Sequence, residues 1–358
     1  MPEPEADAGR PPPRSRRRAS SAAGTRARAP RIPRNEPITV GGVTVPPGRR
    51  HNLEIPVAKL PTDTSLSLPV AVVNGLRPGP TVWLNAAIHG DEINGVEIIR
   101  QLLRLLRPRE LHGTVIAVPI VNVFGFVNET RYLPDRRDLN RAFPGSPRGS
   151  LTAQLAHLFM SEIVSRCQYG IDYHTGTGHR TNLPQLRVDL SVPDMWRLAG
   201  AFGPPVVVHA AHRDGSLRAV CAKRGIPLVV YEGGEAHRFN DDAIRIGIEG
   251  TLRVLAALGM RTDNDIAQGD SPLFIRRTQW ERARRSGIIR IDVYPGQLVQ
   301  RGDQIGVMAD AFGAANRAVR APITGVVLGY SRNPIVSQGD ALVHLADLDA
   351  LIDDPDAV

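Results

Sequence analysis

The chain has 358 residues, a formal net charge of +8 and two cysteines. This length predicts two domains, and two thiols are too few for a disulfide framework or a zinc site made of thiolates. No apolar run approaches the length of a membrane-spanning helix, and no apolar segment follows the N-terminal arginines. We therefore expect a cytoplasmic protein without a membrane partner.

The positive charge is concentrated in residues 1–36, which contain nine arginines and four acidic residues. The segment is also rich in Pro, Ala and Ser, and a chain so poor in large apolar residues cannot offset the entropy lost on folding. We expect a disordered basic tail. A basic arm can touch nucleic acid, but an extension without such a role is the simpler interpretation, so no specific nucleic-acid partner is expected.

Residues 37–265 alternate between β and α patterns. A hairpin with a Gly-Gly loop is predicted at 38–45, and apolar runs predict strands that alternate with helices further on. The predicted strands are 52–57, 66–73, 82–88, 115–123, 170–176 and 227–234, and the predicted helices are 96–106, 152–165, 194–201, 216–224 and 241–258. This order predicts parallel pairing and an α/β sheet covered by helices.

Polar residues follow several of these strands where each strand ends. His89 ends one strand, Glu92 follows in the predicted first turn of the next helix, and His174 ends a later strand. Ligands bind at the carboxyl ends of strands in α/β sheets, and two histidines with one carboxylate form a typical catalytic zinc site with an open position. Glu232, at a further strand end, is then a spare carboxylate that can accept and donate a proton.

Asp172 lies two residues before His174. We predict that it points to the other face of its strand and accepts a hydrogen bond from a ligand imidazole. Each of these residues alone is readily explained as a polar side chain that contacts solvent or a neighbouring polar group. Their joint occurrence at three strand ends favours the metal site.

Four motifs, in this order, resemble the succinylglutamate desuccinylase/aspartoacylase family, a branch of the zinc carboxypeptidase-like hydrolases: His89-Gly-Asp-Glu92, Asp138-Leu-Asn-Arg141, Asp172-Tyr-His174-Thr-Gly and Tyr231-Glu232-Gly-Gly. The resemblance covers roughly residues 37–350. It implies a zinc-carboxypeptidase-like mixed sheet and one Zn²⁺ per chain. It also implies that His89, Glu92 and His174 are the zinc ligands and that Glu232 is the general acid and base.

The resemblance further implies that Asn140 and Arg141 hold the substrate carboxylate and that Arg131 polarises the scissile carbonyl. The spacing between Arg131 and the Asn-Arg pair is longer than in aspartoacylases, so Arg136 and Arg137 stay open as alternatives. The residue types support an anion site independently, because a planar guanidinium binds a carboxylate through two hydrogen bonds. All of them lie in a long polar loop, and such loops within compact domains are usually functional.

Residues 268–350 consist of short β-runs separated by Gly and Pro, which predicts a separate all-β domain. This region resembles the biotinyl/lipoyl-like barrel-sandwich fold that caps the family. A carrier domain needs a lysine to modify, and the only lysines of the chain, Lys59 and Lys223, lie outside it. We therefore expect a wall that narrows the range of substrates.

The expected activity is removal of an acyl group from the nitrogen of a small amino-acid-like substrate, with N-acyl amino acids as the small-molecule partners. A zinc carboxypeptidase acting on peptide ends is an alternative that shares the same ligands. A non-enzymatic carboxylate-binding protein is the other alternative, and loss of a ligand or of Glu232 would have favoured it. No pattern in the sequence identifies the acyl group, the amine or the oligomeric state.

Overall fold

The computed structural model describes residues 33–59, 62–262, 269, 271–313 and 316–353. Most of the predicted tail, residues 1–32, and the predicted boundary at residues 265–268 lie outside the described residues. The disorder of the tail and the division at that boundary therefore stay predictions.

The described part of the N-terminal region contains ten strands and six α-helices. The strands are β1 (Ile38–Val40), β2 (Val43–Val45), β3 (Arg49–Lys59), β4 (Ser65–Asn74), β5 (Arg77–Ala86), β6 (His112–Val118), β7 (Tyr169–Gly176), β8 (Arg180–Val188), β9 (Val206–His209) and β10 (Leu228–Glu235). The helices are α1 (Asn94–Leu105), α2 (Val123–Val127), α3 (Leu151–Glu162), α4 (Pro193–Phe202), α5 (Leu217–Lys223) and α6 (Asp241–Ala257).

The central sheet is mixed, as predicted. Strands β6, β5, β7 and β10 run parallel in that order, and β4, β3 and β8 pair antiparallel at its sides. Successive residues of β5 point to opposite faces: Val82 and Leu84 join a core that packs on α1, α4 and α6, whereas Trp83 joins a core that packs on α3 and α5. Burial on both faces explains why these strands read as continuous apolar runs.

The C-terminal region contributes nine strands among the described residues: β11 (Leu273–Ile275), β12 (Thr278–Arg282), β13 (Gly287–Ile291), β14 (Leu298–Val299), β15 (Gln304–Ala309), β16 (Arg317–Arg320), β17 (Gly325–Ser331), β18 (Ile335–Val336) and β19 (Ala341–Asp347). From β12 onward these strands pair with one another antiparallel, so the expectation of an all-β region is confirmed. Strands β13, β15, β16 and β18 form a separate four-stranded sheet.

The two regions share one continuous sheet. Strand β17 pairs antiparallel with β8, so β17, β19 and β12 extend the central sheet beyond β8. A small core of apolar residues fills the space between this extension and the four-stranded sheet. The C-terminal strands are therefore attached to the central sheet through β8, the strand that pairs with β10.

Several elements were not predicted, among them α2, β9, β11, β12, β18 and β19, and two further differences bear on the candidate site. Strand β8 was not predicted, because its residues are largely polar and include Pro184. The helix after His89 begins at Asn94, so Glu92 lies in the preceding turn and not in the first helical turn as predicted. Among the described residues, no helix has both the length and the apolarity needed to cross a membrane.

The junction between β17 and β8 makes a testable prediction at Gly329. A Cβ atom added there would lie 2.3 Å from the Thr181 carbonyl oxygen and 2.7 Å from Asn182 Oδ1. We expect Gly329→Ala to lower the free energy of unfolding by about 1–3 kcal/mol, as overpacking usually does. Thermal or urea unfolding measures this change.

A matched control is Gly200→Ala, in the exposed part of α4, where an added Cβ would meet nothing within 4 Å. This change should raise stability by up to about 1 kcal/mol, because alanine favours the helix. Equal effects of the two substitutions on the unfolding midpoint would contradict the close approach at the junction.

Candidate active site

Three neighbouring strands bring the predicted residues to one edge of the sheet. His89 follows β5, His174 lies near the end of β7, and Glu232 lies on β10 directly opposite His174 in the parallel register. His89, Glu92 and His174 are buried, with 4%, 1% and 6% of their surfaces exposed. The parallel arrangement thus gathers two imidazoles and two carboxylates at the carboxyl ends of adjacent strands.

The geometry of His89, Glu92 and His174 fits a metal ion. One nitrogen or oxygen atom from each residue lies within 4.8 Å of the others. His89 Nδ1 is 2.8 Å from Glu92 Oε1, and His174 Nδ1 is 2.9 Å from Glu92 Oε2. Both Nδ1 atoms therefore converge on the carboxylate, and this donor set is the one that catalytic zinc sites use with a position left open.

Each imidazole is also held through its other nitrogen. His89 Nε2 lies 3.2 Å from Asp138 Oδ1, and His174 Nε2 lies 3.0 Å from Asp172 Oδ2. The prediction that Asp172 points to the other face of its strand is wrong, because side chains two residues apart in a strand share a face. A carboxylate on the outer nitrogen fixes the ring orientation and leaves Nδ1 free to bind a metal.

Burial and the neighbouring charges shift the pKa values of this cluster in opposite directions. Burial alone would lower the pKa of His174, but the carboxylates of Asp172 and Glu92 outweigh it and raise that pKa well above its usual value. Burial alone would raise the pKa of Glu92, but His89 and His174 hold it well below the usual range. The Glu92 carboxylate is therefore ionised around neutral pH.

Among the three candidate arginines, Arg131 is the one at the cluster. Its guanidinium lies 3.3 Å from Glu92 Oε1 and donates to Asp138 Oδ2 at 2.9 Å. Arg136 and Arg137 are exposed and do not line the cavity. Arg131, at the start of the long polar loop, is therefore the positively charged side chain beside the cluster.

Asn140 and Arg141 lie on a short 3₁₀ turn, Leu139–Arg141. The turn is fixed at both sides, because Asp138 Oδ1 accepts from the Asn140 backbone N–H at 2.8 Å and Asn140 Oδ1 accepts from the Leu217 N–H at 3.0 Å. Both Asn140 and Arg141 line the cavity. The amide oxygen of Asn140 is occupied, so its NH₂ group is the one that remains for a ligand.

Glu232 is held by residues of the unpredicted strand β8. Its Oε2 accepts from Asn182 Nδ2 at 2.8 Å, and its Oε1 lies 3.5 Å from Arg187 Nη1. Glu232 is not among the residues grouped as potential metal ligands, but it lines the same cavity as His89 and His174. It is thus a separate carboxylate beside the candidate metal centre.

The cavity over these residues has a volume of about 280 Å³. Its lining includes Asp172 and Glu232 as carboxylates, and Trp280 and His344 from the C-terminal strands β12 and β19. Its arginines are Arg131, Arg141, Arg180, Arg187, Arg213 and Arg218. Sequence reasoning missed the contributions of β8, β12 and β19, because their polar or isolated cavity residues do not form a motif.

The fold and the His–Glu–His cluster together define the class of protein. It is a zinc-carboxypeptidase-like α/β protein with a candidate metal centre at the carboxyl edge of its sheet. Residues 78–258 match the model of the succinylglutamate desuccinylase/aspartoacylase catalytic domain. The chain belongs to this family, as the four motifs indicated. The N-alpha-acetyl-L-2,4-diaminobutyric acid deacetylase of Halomonas elongata is 25% identical in an alignment of 299 positions that covers 79% of this chain and 86% of that relative.

Solved structures share the fold over most of their length. A succinylglutamate desuccinylase/aspartoacylase from Rhodobacter sphaeroides is 28% identical with a TM-score of 0.75, covering 83% of this chain and 94% of its own. The product-bound ectoine utilization protein of Ruegeria pomeroyi is 22% identical with a TM-score of 0.75, covering 87% and 99%. The C-terminal β region is therefore part of the shared architecture and not an addition peculiar to this chain.

The hydrogen bond between Asp172 and His174 leads to a prediction about metal affinity. Asp172→Asn weakens the acceptor on the outer nitrogen of His174, and such changes typically cost 10- to 100-fold in affinity. We expect a loss of roughly this size for a divalent metal, measured by competition with a chelator. The control is Asp189→Asn, because Asp189 pairs in the same way with His212, outside the cluster. Equal affinities of all three proteins would contradict the role of Asp172.

Proposed function

We propose that the chain is a zinc-dependent amidohydrolase that removes an acyl group from the nitrogen of a small amino-acid-like substrate. The observation that carries this proposal is the pairing of a buried His–Glu–His cluster with a separate carboxylate, Glu232, in one cavity. The relative from Halomonas elongata, named as a deacetylase of an N-acetyl amino acid, supports it.

One metal ion per chain would be held by His89, Glu92 and His174. Two imidazole nitrogens and one carboxylate suit zinc in a catalytic site. When bound there, zinc supplies a Lewis acid that polarises a carbonyl and lowers the pKa of water. Every other role falls to side chains of the chain itself.

Glu232 is the proposed general base and acid. It has no place among the ligands, and Asn182 and Arg187 hold its carboxylate at the cavity wall. In this position it would accept a proton from the attacking water and deliver it to the leaving amine.

The arginines divide into two proposed roles. Arg131, fixed against Glu92 and Asp138, would stabilise the negative charge that develops on the scissile carbonyl oxygen. Arg141 and the free NH₂ group of Asn140 would bind the carboxylate of the substrate. The excess of arginines over carboxylates in the cavity lining favours an anionic substrate over one with a second free amino group.

In this proposal residues 37–265 form the catalytic domain and residues 268–350 form a cap that walls the cavity. The observation behind the proposed wall is that Trp280 of β12 and His344 of β19 line the cavity. The proposed location is the cytoplasm, a reducing compartment that suits two buried cysteines without a disulfide, Cys167 and Cys221.

Metal binding and proton transfer can be separated by mutation. His89→Ala or His174→Ala should remove the metal and the hydrolysis of N-acyl amino acids together. Glu232→Gln should keep one zinc per chain but lower kcat by about 10²- to 10⁴-fold, the usual contribution of a general acid–base group. Elemental analysis and steady-state kinetics measure both effects.

The control for Glu232 is Glu249→Gln on the outer part of α6, which should change neither zinc content nor kcat. Stoichiometric zinc in a protein that lacks both histidines would rule out the proposed ligands. Near-normal turnover of Glu232→Gln would assign the proton transfer to another group.

The proposed carboxylate site makes a separate prediction. Arg141→Ala should raise KM roughly 10- to 100-fold for substrates with a free carboxylate, because a charge-assisted hydrogen bond contributes about 1.5–3 kcal/mol. The same change should have much less effect on the corresponding amides. Arg136→Ala, a change in an exposed arginine of the same loop, is the matched control. Equal losses on acid and amide would leave Arg141 with a structural role only.

A further inference from the structure

The C-terminal region contains a second cavity, separate from the candidate active site. It is lined by residues 281–285 on and after β12, by residues 317–320 of β16, and by Met308 and Leu342. We call it the seam cavity. Its volume is about 340 Å³, and among the described residues it shares none with the lining of the cavity over the His–Glu–His cluster. This volume lies at the lower end of the range for small-molecule sites, about 300–1,000 Å³.

The seam cavity lies between two strands at sheet edges. Strand β12 ends the extended central sheet and β16 ends the four-stranded sheet, and within the described part of the chain each pairs on one side only. Glu281 lies opposite Val343, and Arg317 lies opposite Met308. Val343 and Met308 belong to the core between the two sheets. Residues directly opposite in an antiparallel pair share a face, so Glu281 and Arg317 occupy inner-face positions on the two edge strands.

Arginine dominates the charge of the seam cavity. Of the described residues that line it, one is a carboxylate, Glu281, and five are arginines: Arg282, Arg284, Arg285, Arg317 and Arg320. Arg284 Nε lies 3.9 Å from Glu281 Oε1. Burial nevertheless raises the pKa of Glu281 more than the charge of Arg284 lowers it. Compensation of the Glu281 carboxylate therefore does not explain why the arginines gather here.

Three of these guanidinium groups have no neighbouring carboxylate among the described residues: those of Arg282, Arg317 and Arg320. Arg282 Nη1 donates to the Gly339 carbonyl oxygen at 2.9 Å. Arg320 Nη1 donates to the Gly302 carbonyl oxygen at 2.9 Å. These bonds hold the two side chains in place, but a neutral carbonyl does not compensate their charge. The side chain of Arg317 makes no hydrogen bond within the described part of the chain.

Protection of the sheet edges explains only part of this arrangement. A charged residue that points inward on an edge strand keeps the strand from pairing with another chain. Glu281 on β12 and Arg317 on β16 suffice for that role. It does not account for the four further arginines, because like charges around one cavity repel each other. A bound anion would remove this repulsion.

We propose that the seam cavity binds a small organic phosphate. A phosphate monoester carries about −1.5 to −2 charges near neutral pH and offers three acceptor oxygens, and a guanidinium binds phosphate through two parallel hydrogen bonds. A single carboxylate has less charge and fewer acceptors than this set of arginines can satisfy. Met308, Val319 and Leu342 give the cavity an apolar wall. The ligand therefore carries a compact apolar body beside its phosphate, as a nucleotide does.

Calorimetry on the full chain tests the proposal with three probes: ADP, inorganic pyrophosphate and citrate. The titrations are done at about 0.15 M ionic strength, where exposed charges are largely screened. We expect ADP to bind more tightly than pyrophosphate, because pyrophosphate lacks the apolar body, and citrate to bind more weakly than both. Citrate binding as tight as that of pyrophosphate would overturn the assignment to phosphate. No binding of any probe would overturn the site itself.

Arg317→Ala removes a guanidinium that has no partner among the described residues, so the unfolding midpoint without ligand should not change. It should weaken ADP binding by about 10- to 100-fold, the loss expected for a hydrogen bond to a charged group. Arg317→Lys keeps the charge but not the planar fork, and its affinity should be intermediate. The matched control is Arg290→Ala on β13, which removes the same charge from a side chain that is 79% exposed. Equal weakening by Arg317→Ala and Arg290→Ala would mean attraction by net charge alone and would overturn the proposal.

The candidate active site is also lined by arginines, so ADP binding there needs its own control. Arg141→Ala alters that site and should leave ADP binding unchanged. Arg317→Ala should leave the hydrolysis of N-acyl amino acids unchanged. Because ADP binding is measured without turnover, it is tested independently of the proposed function. Binding that Arg141→Ala abolishes and Arg317→Ala preserves would belong to the candidate active site and would overturn the seam cavity as the binding site.

Discussion

The candidate site depends on the burial of one carboxylate, Glu92. With 1% of its surface exposed, an ionised side chain would be strongly destabilising unless its neighbours compensated the charge. Its oxygens face the Nδ1 atoms of His89 and His174, and they accept hydrogen bonds from the Thr175 backbone at 3.0 Å and the Thr177 hydroxyl at 3.1 Å. These partners lie on β7 or directly after β5 and β7, so the pairing of these two strands in register brings them together around Glu92, and Arg131 adds a positive charge from the polar loop.

Close backbone packing allows this convergence. A Cβ atom on Gly90 would lie 2.0 Å from the carbonyl carbon of Gly125, so the turn that carries Glu92 rests directly on α2. A Cβ atom on Gly95 would lie 2.4 Å from Tyr173 Cβ, so the helix after Glu92 packs against β7 without an intervening side chain. Glycine permits such approaches because it has no Cβ. The close contacts of these two glycines therefore fix the position of the His89–Glu92 turn on both sides.

The sequence predicts the strand ends better than it predicts the cavity wall. Strands β5, β7 and β10 are buried on both faces, so their apolar runs mark where each strand ends and which polar residue follows. Asn182 and Arg187 of strand β8 line the cavity, and the sequence of β8 has no regular alternation of apolar residues that would predict a strand. The presence of Trp280 and His344 in the cavity follows from the pairing of β17 with β8, a long-range contact that leaves no local signal in the sequence.

This difference reflects how the two halves of the cavity are built. The parallel strands and the turn after β5 contribute the groups proposed to bind the metal and transfer protons, and these groups lie at one edge of the sheet, where the strand register fixes their spacing. The antiparallel strands β8, β19 and β12 contribute cavity residues that are not among the candidate metal ligands, so these residues can change without moving a ligand. A shared sheet thus joins the fixed geometry of the candidate metal centre to a wall whose residues can differ without disturbing it.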